Sequence, residues 1–89
     1  MKNLDEYELI FPCEYPVKVI GRDENDFTGF VMGVITRHVP QLTSGDFRTR
    51  PSSGEKYISV SVTFIAESRQ QVDALYAELG SDERVRIAF

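Results

Sequence analysis

Two kinds of hydrophobic spacing alternate along the chain, one with a period of two residues and one with a helical period. Apolar residues at helical spacing run from Phe27 to His38 and from Val72 to Leu79, which predicts two amphipathic helices. Alternation of apolar and polar residues predicts four strands, at Tyr15–Ile20, Phe47–Arg50, Tyr57–Ala66 and Arg84–Phe89. The order of elements is therefore βαββαβ.

This order favours one architecture. Two right-handed βαβ crossovers place both helices on the same face of a four-stranded antiparallel sheet. The expected fold is an α+β, ferredoxin-like two-layer sandwich in which the first and third strands are central. We assign residues 11–89 to this single domain and residues 1–10 to a polar N-terminal leader.

The ends of the helices carry recognisable signals. Asp23 or Asn25 is expected to cap the first helix, and Ser68 with Gln71 forms a capping-box pattern at the second. Gly80 stands where a helix end often adopts a left-handed conformation. In the last strand, the apolar side chains expected to face the helices are Val85, Ile87 and Phe89.

Five of the ten Lys and Arg residues alternate with apolar residues in the predicted strands, although the chain has a net charge of −4. Side chains that alternate along a strand point to opposite faces, so these cations are expected on the face that the helices leave uncovered. No acidic residue falls on this face in the predicted register. The predicted surface consists of Lys18, Arg48, Arg50, Tyr57, Ser59, Ser61, Thr63, Arg84 and Arg86.

Two interpretations of this surface stay open. Arginine suits bidentate contacts to carboxylate or phosphate, which favours an anionic partner or ligand. An uncovered sheet face is also polar simply because it is solvated, and charged edge strands resist aggregation. RNA binding is disfavoured because the expected pair of stacking aromatics on the central strands is reduced to Tyr57.

Composition narrows the chemistry further. His38 is the only histidine, and it is expected to have a structural role near the end of the first helix. No catalytic residue, metal site or cofactor is predicted. Cys13 is the only cysteine, so the chain has no internal disulfide. Without a signal peptide or an apolar run near ~18 residues, the cytoplasm is the expected location and no membrane contact is predicted.

Four segments resemble the YbeD family of small bacterial proteins: FPCEYPVKVIG at 11–21, RHVP at 37–40, RPSSGEKYISVSVTFIA at 50–66 and QVDALYAELGSDERVRIAF at 71–89. The resemblance implies a ferredoxin-like sandwich similar to ACT-type regulatory domains. It also implies a cytosolic bacterial protein whose gene often lies beside lipoate-attachment genes. It implies no substrate, cofactor or catalytic residue.

Together these observations predict a non-catalytic regulatory or adaptor module that acts through its cationic sheet face. By analogy with ACT-type domains, we expect a homodimer or a complex with a partner protein. The alternative is a sensor that binds a small anionic metabolite, such as an amino acid or a lipoyl-related compound. The two hypotheses differ in whether a small molecule or a protein stabilises the domain.

Overall fold

A computed structural model describes residues 9–52, 54 and 56–89, and the predicted leader lies almost entirely outside them. The strands are β1 (Cys13–Arg22), β2 (Arg48–Pro51), β3 (Tyr57–Ala66) and β4 (Val85–Ala88), and the helices are α1 (Phe27–His38) and α2 (Arg69–Gly80). A short 3₁₀ turn at Ser44–Asp46 precedes β2. The predicted order of helices and strands is confirmed.

The strands form one antiparallel sheet in the order β2–β3–β1–β4. The central strands are thus β1 and β3, as predicted. They pair along ten residues, from Cys13 opposite Ala66 to Arg22 opposite Tyr57. In this register Val17 lies opposite Val62 and Val19 opposite Val60, so one face of the central pair is fully apolar.

Both helices cover that apolar face. Phe27, Val31 and Ile35 of α1 are fully buried, and α2 buries its own apolar stripe beside them. The core that results joins both helices to the two central strands, and Phe47 closes it near β2. The opposite face of the sheet has no helix over it among the described residues.

Helix capping follows the sequence only in part. Ser68 caps α2 as predicted, since its hydroxyl accepts a bond from the Gln71 backbone N–H at 3.1 Å. The prediction for α1 is wrong, because the cap is Asp26, whose carboxylate accepts from the Gly29 N–H at 3.2 Å. Gly80 is also not left-handed: it is the last residue of α2, and no described glycine has a positive φ.

Strand β4 departs most from expectation. Ile20 lies opposite Ile87, but Gly21 lies opposite Val85, so Arg86 is an extra residue that shifts the register. Beyond this bulge Ala88 faces the helices, whereas Ile87 and Phe89 are 50% and 59% exposed. The predicted inward orientation of Ile87 and Phe89 is therefore wrong, and that of Val85 is confirmed.

Candidate binding face

The uncovered side of the sheet, called here the open face, carries two rows of side chains that each cross all four strands. Residues directly opposite one another in a sheet point to the same face, so the strand pairings define these rows. The first row is Phe89, Lys18, Ser61 and Arg48, because the backbones of Phe89 and Lys18 exchange both hydrogen bonds. The second row is Ile87, Ile20, Ser59 and Arg50.

Beyond these rows, the open face includes one aromatic–cation contact. The Arg86 guanidinium lies 5.9 Å from the centre of the Tyr57 ring. This contact follows from the bulge, which places Arg86 and Ile87 on the same side of the sheet. Thr63 lies opposite Pro16 on the same face. The structure therefore brings together eight of the nine predicted surface residues.

Arg84 is the exception, and the prediction that it lies on the open face is wrong. Its guanidinium packs over the rings of Phe27 and Phe30 in α1, 5.4 and 5.0 Å from their centres. Its Nη1 donates to the carbonyl oxygens of Glu24 and Asn25 at 3.0 and 2.8 Å. Arg84 thus joins the start of β4 to the segment that leads into α1.

An ion pair completes the Arg84 contacts. Its Nε and Nη2 each donate to the Asp82 carboxylate at 2.9 Å, and only 14% of the Arg84 side chain is exposed. These hydrogen bonds lower the pKa of Asp82 to about 2. Arg84 is therefore a structural residue, and sequence alternation missed this because the α1 rings and the carbonyls that Arg84 contacts come close to it only in the folded chain.

The other cations of the open face have no such partners. Within the described residues, no carboxylate lies within ion-pair distance of Lys18, Arg48, Arg50 or Arg86. Arg22, which β1 adds to this face, differs because it lies 3.4 Å from a carboxylate oxygen of Glu24. The four cations are therefore available to an external anion.

The open face is not purely cationic. Because β1 begins at Cys13, Glu14 lies on this face opposite Ile65, which corrects the expectation of a face without acids. The face also exposes large apolar side chains, which sequence reasoning placed in the core or left aside. Ile87 and Phe89 are at least half exposed, Ile65 is 47% exposed and Ile20 is half-buried. Apolar and cationic side chains thus lie side by side on the open face, and the hydroxyl groups come from β3.

Two hollows lie on this face. The larger, of about 500 Å³, is lined by residues of the first row together with Pro16, Thr63 and Asp46. The smaller, of about 210 Å³, lies among residues of the second row, between Arg50 and Tyr57. Both hollows therefore combine hydroxyl and guanidinium groups with an apolar wall.

His38 lies in the opposite layer of the fold. Its Nε2 is 2.9 Å from the Glu78 carboxylate of α2, and its carbonyl oxygen accepts a bond from the Gln71 amide at 2.8 Å. Arg37 pairs with the same carboxylate of Glu78. These contacts connect the two helices.

Among residues 9–52, 54 and 56–89 no group of three potential metal ligands comes together, and no helix is long and apolar enough to cross a membrane.

The order of the strands and the single helical layer define a ferredoxin-like fold. Solved structures share this fold: protein HP0495 from H. pylori superposes with a TM-score of 0.65 at 15% identity, covering 92% of this chain and 86% of that protein. The ACT domain from GTP pyrophosphokinase of Chlorobium tepidum gives a TM-score of 0.60 at 14% identity, over 85% of this chain and 94% of that domain.

Sequence comparison identifies the particular family. The chain belongs to the family described as "Protein of unknown function (DUF493)", whose profile matches residues 6–89. A UPF0250 protein of Janthinobacterium sp. is 36% identical over 88 residues, covering 97% of both chains. One from Vibrio cholerae is 43% identical over 81 residues, covering 89% of this chain and 84% of its own. The resemblance to the YbeD family is thereby confirmed.

Proposed function

We propose that this protein is a non-catalytic regulatory or adaptor module that binds a partner protein through the open face. The observation that carries the proposal is the exposure of Ile87, which follows Arg86 in β4 and lies in one row with Arg50 at the far edge of the sheet; neither arginine has an ion-pair partner among the described residues. An exposed apolar group surrounded by charge is typical of protein contacts. Arginine and large apolar side chains supply much of the energy of such contacts.

The charges specify the chemistry of the partner. An acidic surface with an apolar centre would pair its carboxylates with the arginines and cover Ile87. The smaller hollow, between Arg50 and Tyr57, has room for a side chain of such a partner. Complementary charge also accelerates association, so binding should weaken as ionic strength rises.

Face-to-face pairing of two copies is less favourable. A two-fold axis through the open face makes the same surface meet itself, so the cations of one copy would approach those of the other. Like charges brought together in this way oppose association. A different, acidic protein therefore fits the open face better than a second copy does.

A non-catalytic role agrees with the position of His38. Its imidazole contacts Glu78 in the helical layer, on the far side of the sheet from both hollows. A general base must lie within hydrogen-bond reach of the group it deprotonates, which His38 does not for a ligand on the open face. Binding is the activity that the open face supports best.

The test is affinity capture from a lysate of the native bacterium, followed by affinity measurement with the purified partner. Two variants probe the open face: Ile87→Ser and Arg50→Glu/Arg86→Glu. Two controls change residues outside the rows of the open face: Ile10→Ser, at a residue that is 82% exposed and precedes β1, and Arg69→Glu, a single charge reversal at the start of α2. We expect both face variants to weaken binding at least tenfold, and both controls to bind as the wild type does.

Equal binding by all five proteins would refute the proposal, provided that each variant unfolds at the wild-type temperature. Light scattering of the purified protein tests the competing arrangement. A dimer that Ile87→Ser converts to a monomer would assign the face to self-association instead.

A further inference from the structure

The larger hollow has a composition that differs from the rest of the open face. Its long wall is the first row, in which Ser61 lies between Lys18 and Arg48 on neighbouring strands. Strands are about 4.8 Å apart, so the two cations start about 10 Å apart. Side chains of this length can reach one anion placed above Ser61. Thr63, two residues along the same strand, adds a second hydroxyl.

Arg48 is held at the rim of this hollow. Its Nη1 is within 3.2 and 3.4 Å of the carbonyl oxygens of Gly45 and Phe47, at the 3₁₀ turn. These contacts use one nitrogen of the guanidinium and leave the others free to donate. A guanidinium fixed in this way loses less side-chain entropy when it binds a carboxylate.

The charges around the hollow favour an anion with a single negative charge. Asp46 also lines it, but its carboxylate accepts bonds from the Thr43 N–H and hydroxyl at 2.8 and 3.2 Å. Among the side chains that line the hollow, Lys18 and Arg48 together exceed Asp46 by one positive charge. One carboxylate therefore neutralises these three side chains, whereas a phosphate dianion or a nucleotide would leave excess negative charge.

The opposite end of the hollow is apolar. The Phe89 ring stands beside Lys18, and Pro16 lies in the neighbouring row. Val17 and Val62 bury their side chains on the helix side, so they present main chain to the hollow. At about 500 Å³ the space is in the range of small-molecule sites.

We propose that this hollow is a binding site for a small organic monocarboxylate that carries an apolar group. Lys18, Arg48 and Ser61 bind the carboxylate, and Phe89 and Pro16 contact the apolar group. The site requires no partner protein. It also uses none of the residues that the capture experiment changes, so the two proposals succeed or fail separately.

The test is a titration of the isotope-labelled protein followed by ¹H–¹⁵N NMR. The probes are 3-phenylpropanoate, its neutral amide 3-phenylpropanamide, and acetate, which has the charge without the apolar group. We expect 3-phenylpropanoate to shift the amide signals of residues 17, 18, 61–63 and 89. Its Kd should be at least about tenfold lower than that of either other probe, because a charged hydrogen bond and an apolar contact each add to binding.

Substitutions then test whether Lys18 and Arg48 are the cations that bind the carboxylate. Lys18→Gln/Arg48→Gln should weaken binding of 3-phenylpropanoate at least about tenfold, while Arg50→Gln, an equally exposed edge cation outside the hollow, should not change it. The proposal is overturned if the amide binds as well as the acid, if acetate alone accounts for the shifts, or if Arg50→Gln is as damaging as the double change. Absence of any shift at millimolar probe also overturns it. Dispersed spectra confirm that each variant is folded.

Discussion

Replacement of Gly21 by Ala tests how closely β1, β4 and α1 pack at the bulge. A Cβ at this position would lie 2.3 Å from Cζ of Phe27 and 2.7 Å from the carbonyl oxygen of Arg84. Carbon atoms in ordinary contact are about 3.5–4.0 Å apart, so these groups would have to move by about 1 Å or more. Phe27 is fully buried and the Arg84 oxygen belongs to the backbone, which makes such movement costly.

The expected change in the free energy of unfolding follows from two opposing effects. Overpacking of a well-packed core costs about 1–3 kcal/mol. Gly21 does not have a positive φ, so the Ala backbone is unstrained and gains about 0.4–1 kcal/mol by restricting the unfolded chain. The net result is a loss of about 1–2 kcal/mol, and Tm should fall by about 4–8 °C for each kcal/mol.

Urea unfolding followed by far-UV circular dichroism measures this loss, since the chain has no Trp for fluorescence. Gly33→Ala is the matched control. A Cβ there meets only the Arg37 guanidinium at 3.8 Å, so the helix should gain up to about 1 kcal/mol. If Gly21→Ala were as stable as the wild type, the close packing at the bulge would be refuted. If both changes gave the same sign, the steric reasoning would fail as well.

Two further predictions concern the contacts around α1 and β4. Asp26 has a φ of 54° and caps α1. Asp26→Ala should therefore lower the free energy of unfolding by about 1 kcal/mol for the lost cap and by a further ~1 kcal/mol for left-handed strain. Asp26→Gly should lower it by only a few tenths of a kcal/mol, and urea unfolding measures both changes. Asp82 has a folded pKa of about 2, below its usual 3.8, so its ion pair with Arg84 stabilises the fold above about pH 4 and is lost as pH falls towards 2. The difference in Tm between wild type and Asp82→Asn should therefore be largest above pH 4 and narrow below it; a constant difference would exclude this role of the Asp82 carboxylate.

The central strands could be predicted from sequence because each has one buried and one solvated face. Every second residue of β3 from Ile58 to Phe64 is apolar, and the same alternation in β1 fixes the pairing partner by partner. A shift of one residue would bury Lys18 and expose Val17. No other part of the chain would compensate for the free-energy cost of these two changes. The positions of Lys18, Ser59, Ser61 and the β2 arginines follow from this register.

Strand β4 could not be predicted in the same way. Alternation along a single strand assumes that every residue has a partner, and a bulge breaks the assumption at Arg86 without any signal in the β4 sequence. The partner strand has Gly21 at the register shift, where a Cβ would lie 2.7 Å from the Arg84 carbonyl oxygen. The α1 cap was missed for a different reason: Asp23, Asn25 and Asp26 are all favoured capping residues, and only the backbone geometry selects among them.

The anchoring of Arg84 bears directly on the candidate binding face, although its side chain is not on it. The Arg84 carbonyl accepts the Arg22 N–H at 3.0 Å, and its guanidinium connects Asp82 to the start of α1. These contacts fix where β4 begins, and the bulge that follows turns Ile87 and Phe89 towards solvent. Substitution of Arg84 would therefore disturb the face by moving β4, as well as by unpairing Asp82. Loss of binding in an Arg84 variant would consequently say little about the surface, whereas loss in Ile87→Ser or Arg50→Glu/Arg86→Glu, with Tm unchanged, reports on the contact itself.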